Sequence, residues 1–251
     1  MKLCIAGSIT IDVIEYLQSI KSTQKINILQ SYIDYRKGDG YFDELRSLAD
    51  FFILDSGAFS MLYGNKKNVD IDQYCTEYID FVKRKQIYNY VELDLYNTLG
   101  TEKTEQLRAR LEQEVGWKPI PVFHKEKGLE YYKKLIREYD YVAIGGISGR
   151  GKDLYNLNIF VELVKMAKKE NCKIHGLGFT SSRQLPKLHL YSVDSTTWLA
   201  ALRYGGAVDV FDGEKFIKAP QPKGTKMITP KIRQHQIREW AKFMKYAEEN
   251  L

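Results

Sequence analysis

The chain has 251 residues, of which 44% belong to the hydrophobic set and 28% are charged. This composition is typical of a folded protein and excludes a disordered or collagen-like one. The formal net charge is +6, an excess that is compatible with a polyanionic partner.

Three cysteines, Cys4, Cys75 and Cys172, lie far apart in the sequence. Their odd number argues against a disulfide framework, and no pair has metal-ligand spacing, so no cysteine-based zinc site is expected. Asp12 and Glu15 interrupt the N-terminal apolar segment, which does not read as a signal peptide. No run approaches the roughly 18 apolar residues of a membrane span. We therefore expect a cytoplasmic protein.

Short apolar runs with the size of buried strands recur along the chain, each followed by Gly, Asp, Asn or His. In chain order they are KLCIAGS, NILQSYI, FFILDSG, YVELDLYN, PIPVFHKEKG, YVAIGGISG, CKIHGLG, YSVDST and AVDVFDG. Helical periodicity lies between most of them. The clearest helical patterns cover residues 71–85, 101–115, 129–139 and 156–170.

This repetition of strand and helix predicts a parallel sheet with helices on its faces. The sheet could be doubly wound or closed into a barrel. A doubly wound dinucleotide-binding sheet would place a glycine fingerprint on the first strand, and KLCIAGSITIDV lacks one. About eight units in roughly 250 residues fit a barrel. We predict an α/β fold, a (β/α)8 TIM barrel over residues 1–213 with a C-terminal helical appendage.

Residues 214–251 are predicted to form a basic, proline-containing loop and a helix from Pro230 to about Glu249, packed on the barrel. This segment carries nine Lys and Arg against four Glu, which is +5 of the +6 net charge. Such a segment suits phosphate contacts with nucleic acid, and the alternative is a solvated helix face. The candidate nucleic-acid-binding residues are Lys223, Lys226, Lys231, Arg233 and Arg238.

The active site of a parallel barrel lies at the C-terminal ends of its strands. The polar and glycine residues at those ends are Asp55, Asp94, His124, Gly145, Gly146, His175, Gly176 and Asp194. Three carboxylates and a histidine at one mouth suit acid–base or nucleophilic chemistry. The alternatives are that each aspartate caps the following helix, and that His175 is a buried histidine with internal partners.

Residues 146–152, GISGRGK, match the G-x-x-x-x-G-K pattern of a phosphate-binding loop. Asp153 follows, where such a loop needs Ser or Thr to hold magnesium. The motif therefore does not predict a nucleotide triphosphatase.

Several strand ends resemble the tRNA-guanine transglycosylases, also called queuine tRNA-ribosyltransferases. ILDSGAFS, with Ser56 and Gly57, resembles the family's DSGGF motif, with Ala58 in place of the second glycine. VELDLYN resembles its strand ending in a base-recognising Asp, and AIGGIS resembles its Gly-Gly turn. HGLGFTSSRQLPKLHLYSVDSTTW has the layout of the segment that ends in the nucleophilic Asp. These elements occur in family order from Asp55 to Trp198, and the resemblance implies a (β/α)8 barrel.

The chain also departs from the tRNA-acting enzymes. Because no cysteine follows Cys172, their Cys-x-Cys-x-x-Cys plus His zinc module is absent. His124 stands where those enzymes have glutamine, and residues 195–198 (STTW) replace Cys-Val-x-Pro-Thr-Arg. The zinc-free pattern is similar to the DNA-modifying branch, the deoxypurine-in-DNA modification proteins of phages and bacteria. This resemblance implies exchange of guanine in DNA for a 7-deazaguanine, with no metal or organic cofactor.

The resemblance also implies the catalytic roles. Asp194 would attack the anomeric carbon and form a covalent glycosyl-enzyme, while Asp55 would protonate the leaving base and deprotonate the incoming one. Two carboxylates that divide these roles follow the logic of retaining glycosyl transfer. The target base must be flipped out of a duplex or lie in a single strand.

The same resemblance assigns base recognition to Asp94, which would accept hydrogen bonds from the amidine edge of guanine. His124 would donate to the base carbonyl or to a 7-substituent. The other substrate-binding positions are Ser56, Gly57, Gly145, Gly146, His175 and Gly176, with the Gly145 and Gly146 amides facing the base carbonyl.

Three other functions remain open from the sequence. The chain could be a tRNA-guanine transglycosylase that lacks the zinc module, a nucleoside or base N-glycosyl hydrolase, or a nucleic-acid-binding barrel without turnover. A separate protein partner could also handle the DNA.

Overall fold

The computed structural model describes residues 1–21, 24–63, 69–145, 157–179, 181–204, 207–220 and 229–251. The strands are β1 (Lys2–Ala6), β2 (Asn27–Ser31), β3 (Phe51–Asp55), β4 (Val122–Phe123), β5 (Tyr141–Ile144), β6 (Lys173–Gly176), β7 (Ser192–Ser195), β8 (Val208–Phe211) and β9 (Phe216–Ala219). The helices are α1 (Ile11–Ile20), α2 (Phe42–Leu48), α3 (Ala58–Tyr63), α4 (Ile71–Arg84), α5 (Tyr96–Val115), α6 (Leu129–Glu138), α7 (Leu157–Lys169), α8 (Ala200–Tyr204) and α9 (Thr229–Asn250). The GISGRGK motif lies outside the described residues.

Eight parallel segments close into a ring. Strands β3, β2, β1, β7, β6, β5 and β4 are neighbours in that order, and every pair is parallel. Residues 90–91 occupy the place between β3 and β4, because Leu54 pairs with Tyr90 and Val91 pairs with Ile120. The predicted α/β fold, a (β/α)8 barrel, is therefore confirmed.

Both faces of the barrel wall are buried. In β1, Cys4 and Ala6 pack in the cluster of small and aliphatic residues that fills the barrel interior. Their neighbours Leu3 and Ile5 belong to the cluster beneath the helices. Burial on both faces explains why the strands read as continuous apolar runs without polar alternation.

Local sequence signals set the helix ends. The carboxylate of Asp70 accepts the backbone N–H of Gln73 at 3.0 Å and caps the start of α4. The helices predicted over 71–85, 129–139 and 156–170 are observed, to within one residue at each end, as α4, α6 and α7. Helix α5 begins at Tyr96, earlier than the predicted start at Thr101, and Gly100 interrupts it with φ of 76°.

The apolar character of the run AVDVFDG predicted a strand of the barrel, but the run does not form one. Its strand, β8, pairs antiparallel with β9 in a separate two-stranded sheet. The carboxylate of Asp212 accepts the backbone N–H groups of Glu214 and Lys215, and Gly213 has φ of 112°, so the chain reverses here. The predicted boundary between residues 213 and 214 thus falls inside a hairpin turn.

Helix α9 takes the position of the eighth barrel helix, against β1 and α1. Trp240, Phe243 and Ala247 are buried in the same core cluster as the barrel strands. The amino group of Met1 donates to the carbonyl of Ala247 at 3.0 Å, which places the end of α9 beside the start of β1. The C-terminal helix therefore shares the barrel's hydrophobic core.

All three cysteines are buried and free of disulfides. Across the residues that the structure describes, no helix is both long enough and apolar enough to cross a membrane.

Replacing Phe243 with Ala tests whether α9 is part of the barrel core. Because this ring is fully buried, we expect Phe243→Ala to lower the free energy of unfolding by about 3–5 kcal/mol in a single urea transition. Lys245→Ala, on the exposed face of the same helix, should change it by less than about 0.5 kcal/mol. Equal effects of the two substitutions would contradict a shared core.

Candidate active site

A cavity of about 680 Å3 opens at the C-terminal ends of the barrel strands. The strand-end residues Asp55, Asp94, His124, Gly145 and Asp194 all line it. The closed ring thus brings into one cavity the three carboxylates and the histidine that the sequence placed at separate strand ends.

Asp55 ends β3 and lines the cavity, and hydrogen bonds hold one of its two carboxylate oxygens. Its Oδ2 accepts the backbone N–H of Gly57 at 2.9 Å and the hydroxyl of Ser31 at 3.3 Å. Gly57 has φ of 71°, and a Cβ at this position would lie 2.7 Å from Ser31 Oγ, so the turn requires glycine. Gly57 therefore acts on Asp55, and it is not among the residues that line the cavity.

Burial raises the pKa of Asp55 to about 6. The Gly57 N–H and the Ser31 hydroxyl favour the ionised form, whereas the neighbouring carboxylates of Asp194 and Asp94 disfavour it further. Asp55 is thus suited to hold and release a proton near neutral pH.

Asp194 lies on β7 and is held from the neighbouring strand. Its Oδ1 accepts hydrogen bonds from Nε2 of His175 at 3.0 Å and from the backbone N–H of Gly178 at 2.9 Å. Both donors belong to β6 and the residues that follow it, so this carboxylate does not cap the helix after its own strand. Within the described chain, Oδ2 of Asp194 has no hydrogen-bond partner.

Asp94 and His124 are bonded to each other across the cavity wall. Nε2 of His124 lies 2.9 Å from Oδ1 and 2.8 Å from Oδ2 of Asp94. The imidazole ring stacks on Tyr96 with 5.6 Å between centroids. These contacts fix the pair at the mouth, where a bound ligand would meet Asp94 and His124 together.

Gly145 lines the cavity, but its amide, which was predicted to face the base carbonyl, has a partner in the barrel wall. The N–H of Gly145 donates to the carbonyl of Phe123 at 2.9 Å, as part of the barrel's strand pairing. A Cβ at Gly145 would lie 2.7 Å from Cε1 of His124, so glycine is needed here to seat that ring. Gly146 lies outside the described residues.

His175 and Gly176, which were predicted to contact the substrate, are both buried and are not among the residues that line the cavity. Both ring nitrogens of His175 have partners, as in the alternative of a buried histidine, but one partner is Asp194. Ser56 does line the cavity, and its carbonyl accepts the hydroxyl of Tyr74 at 2.6 Å.

The structure divides the five predicted basic contacts. Lys231 and Arg238 lie exposed on α9, seven residues apart and so on one helix face. The Arg233 guanidinium instead binds the carboxylate of Asp12 at 3.0 and 3.2 Å, so this group ties α9 to α1. Lys223 and Lys226 lie outside the described residues.

Sequence reasoning missed several cavity residues. Ser31 ends the strand beside β3, Gly178 follows β6, and Arg203 lies on α8 with its guanidinium 3.3 Å from Oγ1 of Thr196. The glycines of HGLG were a signal for a close backbone approach, whereas nothing in the local pattern distinguished Arg203 from a surface arginine. No group of three or more His, Cys, Asp or Glu suited to a metal ion occurs in the described ranges.

No family model matches the chain, and no curated protein matches it. Among solved structures, a protein from Coccidioides immitis assigned as a fructose-1,6-biphosphate aldolase is similar with a TM-score of 0.55 and 10% identity, over 99% of this chain and 90% of that one. A structure described as native KDPGal has a TM-score of 0.52 and 10% identity, over 99% and 94% of the two chains. At such low identity these similarities show the barrel fold alone.

Asp55→Asn is expected to stabilise the protein at high pH. A raised carboxyl pKa means that ionisation opposes folding, so the wild type loses stability as pH rises from about 4 through about 6. Asn does not ionise, and its advantage over Asp should therefore grow by up to about 3 kcal/mol between pH 4 and pH 8, less where cavity water screens the charge.

Urea unfolding at the two pH values measures this difference. Asp80→Asn, at an exposed position on α4, serves as the matched control and should show no such pH-dependent gain. An advantage of the Asp55→Asn variant over the wild type that is the same at pH 4 and pH 8 would contradict the raised pKa.

Proposed function

We propose that this protein is a DNA-guanine transglycosylase, a glycosyltransferase that exchanges guanine in DNA for a 7-deazaguanine through a covalent aspartyl–glycosyl intermediate. The observation that carries the proposal is the pairing of Asp55 and Asp194 in one cavity, with different surroundings for the two carboxylates. Asp55 has a raised pKa, whereas Asp194 accepts two hydrogen bonds on a single oxygen. Such a division suits one acid–base group and one nucleophile.

In the first half of the reaction, a carboxylate oxygen of Asp194 forms a bond to C1′ of the nucleotide as the C1′–N9 bond breaks. The electron pair of that bond leaves with guanine, and Asp55 donates its proton to the departing base. In the second half, ionised Asp55 takes a proton from the incoming 7-deazaguanine. The N9 atom of this base then attacks C1′ and displaces the Asp194 carboxylate.

The Asp94–His124 pair is suited to hold the base. Asp94 offers acceptors for the N1–H and exocyclic amine of guanine. Because Nε2 of His124 is bonded to Asp94, Nδ1 is the ring nitrogen left to meet a polar 7-substituent. The cavity of about 680 Å3 lies within the range of roughly 300–1,000 Å3 that small ligands occupy. A base in duplex DNA reaches it only after flipping.

Basic groups at the cavity lining and beside the mouth suit the phosphates of a nucleic acid. Arg203 brings a guanidinium to the cavity lining, and Lys231 is exposed in the first turns of α9. The contact between Arg233 and Asp12 places these turns beside the start of α1, on the side of the mouth. Such groups position a backbone without reading its sequence.

Covalent trapping tests the proposal. The protein is incubated with a labelled guanine-containing oligodeoxynucleotide without an incoming base, and the mixture is resolved on a denaturing gel. We expect a labelled protein–DNA adduct that Asp194→Asn reduces by at least about 10³-fold. Asp80→Asn, which alters an exposed aspartate, should form the adduct at the wild-type rate.

The other outcomes separate the alternatives. Adduct on tRNA but not on DNA selects a tRNA-guanine transglycosylase, and release of free guanine without uptake of a labelled base selects a hydrolase. Binding of nucleic acid that survives Asp55→Ala and Asp194→Ala, without product on DNA or RNA, selects a non-catalytic barrel. Each of these results would overturn the proposed DNA exchange.

The pH dependence of base exchange tests the role of Asp55. Because the acid must be protonated before the base leaves, kcat/KM should fall about tenfold per pH unit above about pH 6. In Asp55→Asn, kcat/KM should be low and should not show this fall above about pH 6. If the same fall in kcat/KM persists in the variant, another group donates the proton to the leaving base.

A further inference from the structure

Behind Asp194, a chain of hydrogen bonds runs through the barrel interior, away from the mouth. Nε2 of His175 lies 3.0 Å from Oδ1 of Asp194, and its Nδ1 lies 2.6 Å from Oγ of Ser192. Ser192 is in turn hydrogen-bonded to the hydroxyl of Tyr141. His175 and Ser192 have no exposed surface, so the centre of the chain is closed to solvent.

Counting donors gives this chain a direction. Oδ1 of Asp194 acts as an acceptor for the N–H of Gly178, and when it accepts from His175 as well, Nε2 of that ring carries a hydrogen. At the other end, burial raises the pKa of Tyr141 and keeps its hydroxyl protonated. In the part of the chain that the structure describes, Ser192 is the hydrogen-bond partner of this hydroxyl, which therefore donates to Ser192 Oγ.

Ser192 then determines which nitrogen of the His175 ring carries a hydrogen. Having accepted from Tyr141, the Ser192 hydroxyl donates to Nδ1 of His175, which must be unprotonated. A doubly protonated His175 would add its Nδ1–H to the hydroxyls of Ser192 and Tyr141, so one of these two hydroxyls would lack an acceptor, and an unsatisfied buried donor destabilises the folded state. Three donors and three acceptors are matched only when His175 is neutral.

We propose that this chain holds His175 as the neutral Nε2–H tautomer and presents Oδ2 of Asp194 to the cavity as the attacking oxygen. The assignment of the attacking oxygen rests on the proposed glycosyl transfer. The tautomer of His175 rests on these hydrogen bonds and on the protonated Tyr141 hydroxyl, and it does not depend on the proposed function.

The anchoring of Asp194 is one-sided. His175 and the N–H of Gly178 both donate to Oδ1, which leaves Oδ2 without a partner among the described residues. A neutral His175 also leaves the full negative charge on the carboxylate, whereas an imidazolium would neutralise it and weaken the nucleophile.

The same two donors serve both halves of the reaction. When Oδ2 bonds to C1′ and the C1′–N9 bond breaks toward the base that Asp55 protonates, Oδ1 becomes the carbonyl oxygen of the ester. When the Oδ2–C1′ bond breaks in the second half, negative charge returns to the carboxylate, and the donors on Oδ1 stabilise it. Since His175 does not line the cavity, it is a positioning residue for Asp194.

Nitrogen-15 NMR of the histidine side chains tests the tautomer on the wild-type protein, whether or not it turns over a substrate. The signals of His175 are assigned by their loss in His175→Gln. At pH 7 we expect Nε2 to carry a hydrogen and Nδ1 to show the shift of an unprotonated nitrogen. A ring with hydrogens on both nitrogens, or on Nδ1 alone, would overturn the proposal.

Rates of adduct formation test the effect on Asp194. Because misplacement of a reacting group by about 1 Å can cost about 10²-fold, we expect a loss of that order in His175→Leu, with KM for the oligonucleotide unchanged. His175→Gln retains an N–H donor and should recover part of the rate. His189→Gln, which alters an exposed histidine, is the matched control.

The outcomes keep this proposal and the proposed function separate. Wild-type protein that forms no adduct on DNA or tRNA defeats the proposed function, and the NMR result still decides the tautomer. Wild-type protein that forms the adduct, with His175→Leu folded and equally fast, defeats the positioning role of His175. If His175→Leu does not fold, Tyr141→Phe, which removes only the last donor, takes its place and should slow the adduct in the same direction without a change in KM.

Discussion

Closure of the ring between β3 and β4 is the constraint on which the site depends. Only single pairings join residues 90–91 to the strands on either side, and the side chain of Glu92 completes this seam. One carboxylate oxygen accepts the backbone N–H of Val122 at 2.6 Å, and the other accepts from Arg108 at 3.2 Å. Burial raises the pKa of Glu92 to about 7, against the opposing charge of Arg108. The bonded pair Asp94 and His124 lies two residues beyond this link on each segment.

The two catalytic candidates share one structural device. A glycine N–H donates to one oxygen of each carboxylate, from Gly57 to Asp55 and from Gly178 to Asp194. Both glycines have positive φ, 71° and 67°, because the backbone must fold back onto the carboxylate. In each case a second donor binds the same oxygen, so the other oxygen is left for chemistry. Their surroundings otherwise differ, and that difference divides their roles in the proposed mechanism.

The sequence predicted the features that depend on local pattern. Helix periodicity gave α4, α6 and α7 almost to the residue, and the strand ends gave the cavity positions of Asp55, Asp94 and Asp194. The sequence did not predict features that a tertiary contact determines. The apolar run at β8 pairs with a neighbour in a hairpin because a turn at Asp212 reverses the chain.

The same limit applies inside the site. No pattern within one segment shows that the Gly145 amide is used by Phe123, or that Arg233 is bound to Asp12. His175 illustrates it best, since its two partners come from a different strand seventeen and nineteen residues away. Register between strands, which periodicity does not encode, decides what such a side chain meets.

The charge of the molecule sets how a polyanion would meet this site under the proposed function. The cavity lining includes four aspartates, Asp34, Asp55, Asp94 and Asp194, against one arginine, Arg203. The field of these carboxylates repels phosphate, so under the proposed function the uncharged base is the part of a nucleotide that enters. Because the pKa of Asp55 is raised to about 6, protonation of this carboxyl near neutral pH removes one of these charges. Under the proposed function the phosphates stay at the edge of the cavity, where Arg203 of the lining and the exposed Lys231 supply positive charge. Under the proposed function, an acidic cavity with basic groups at its edge admits a flipped base and keeps the phosphate backbone outside.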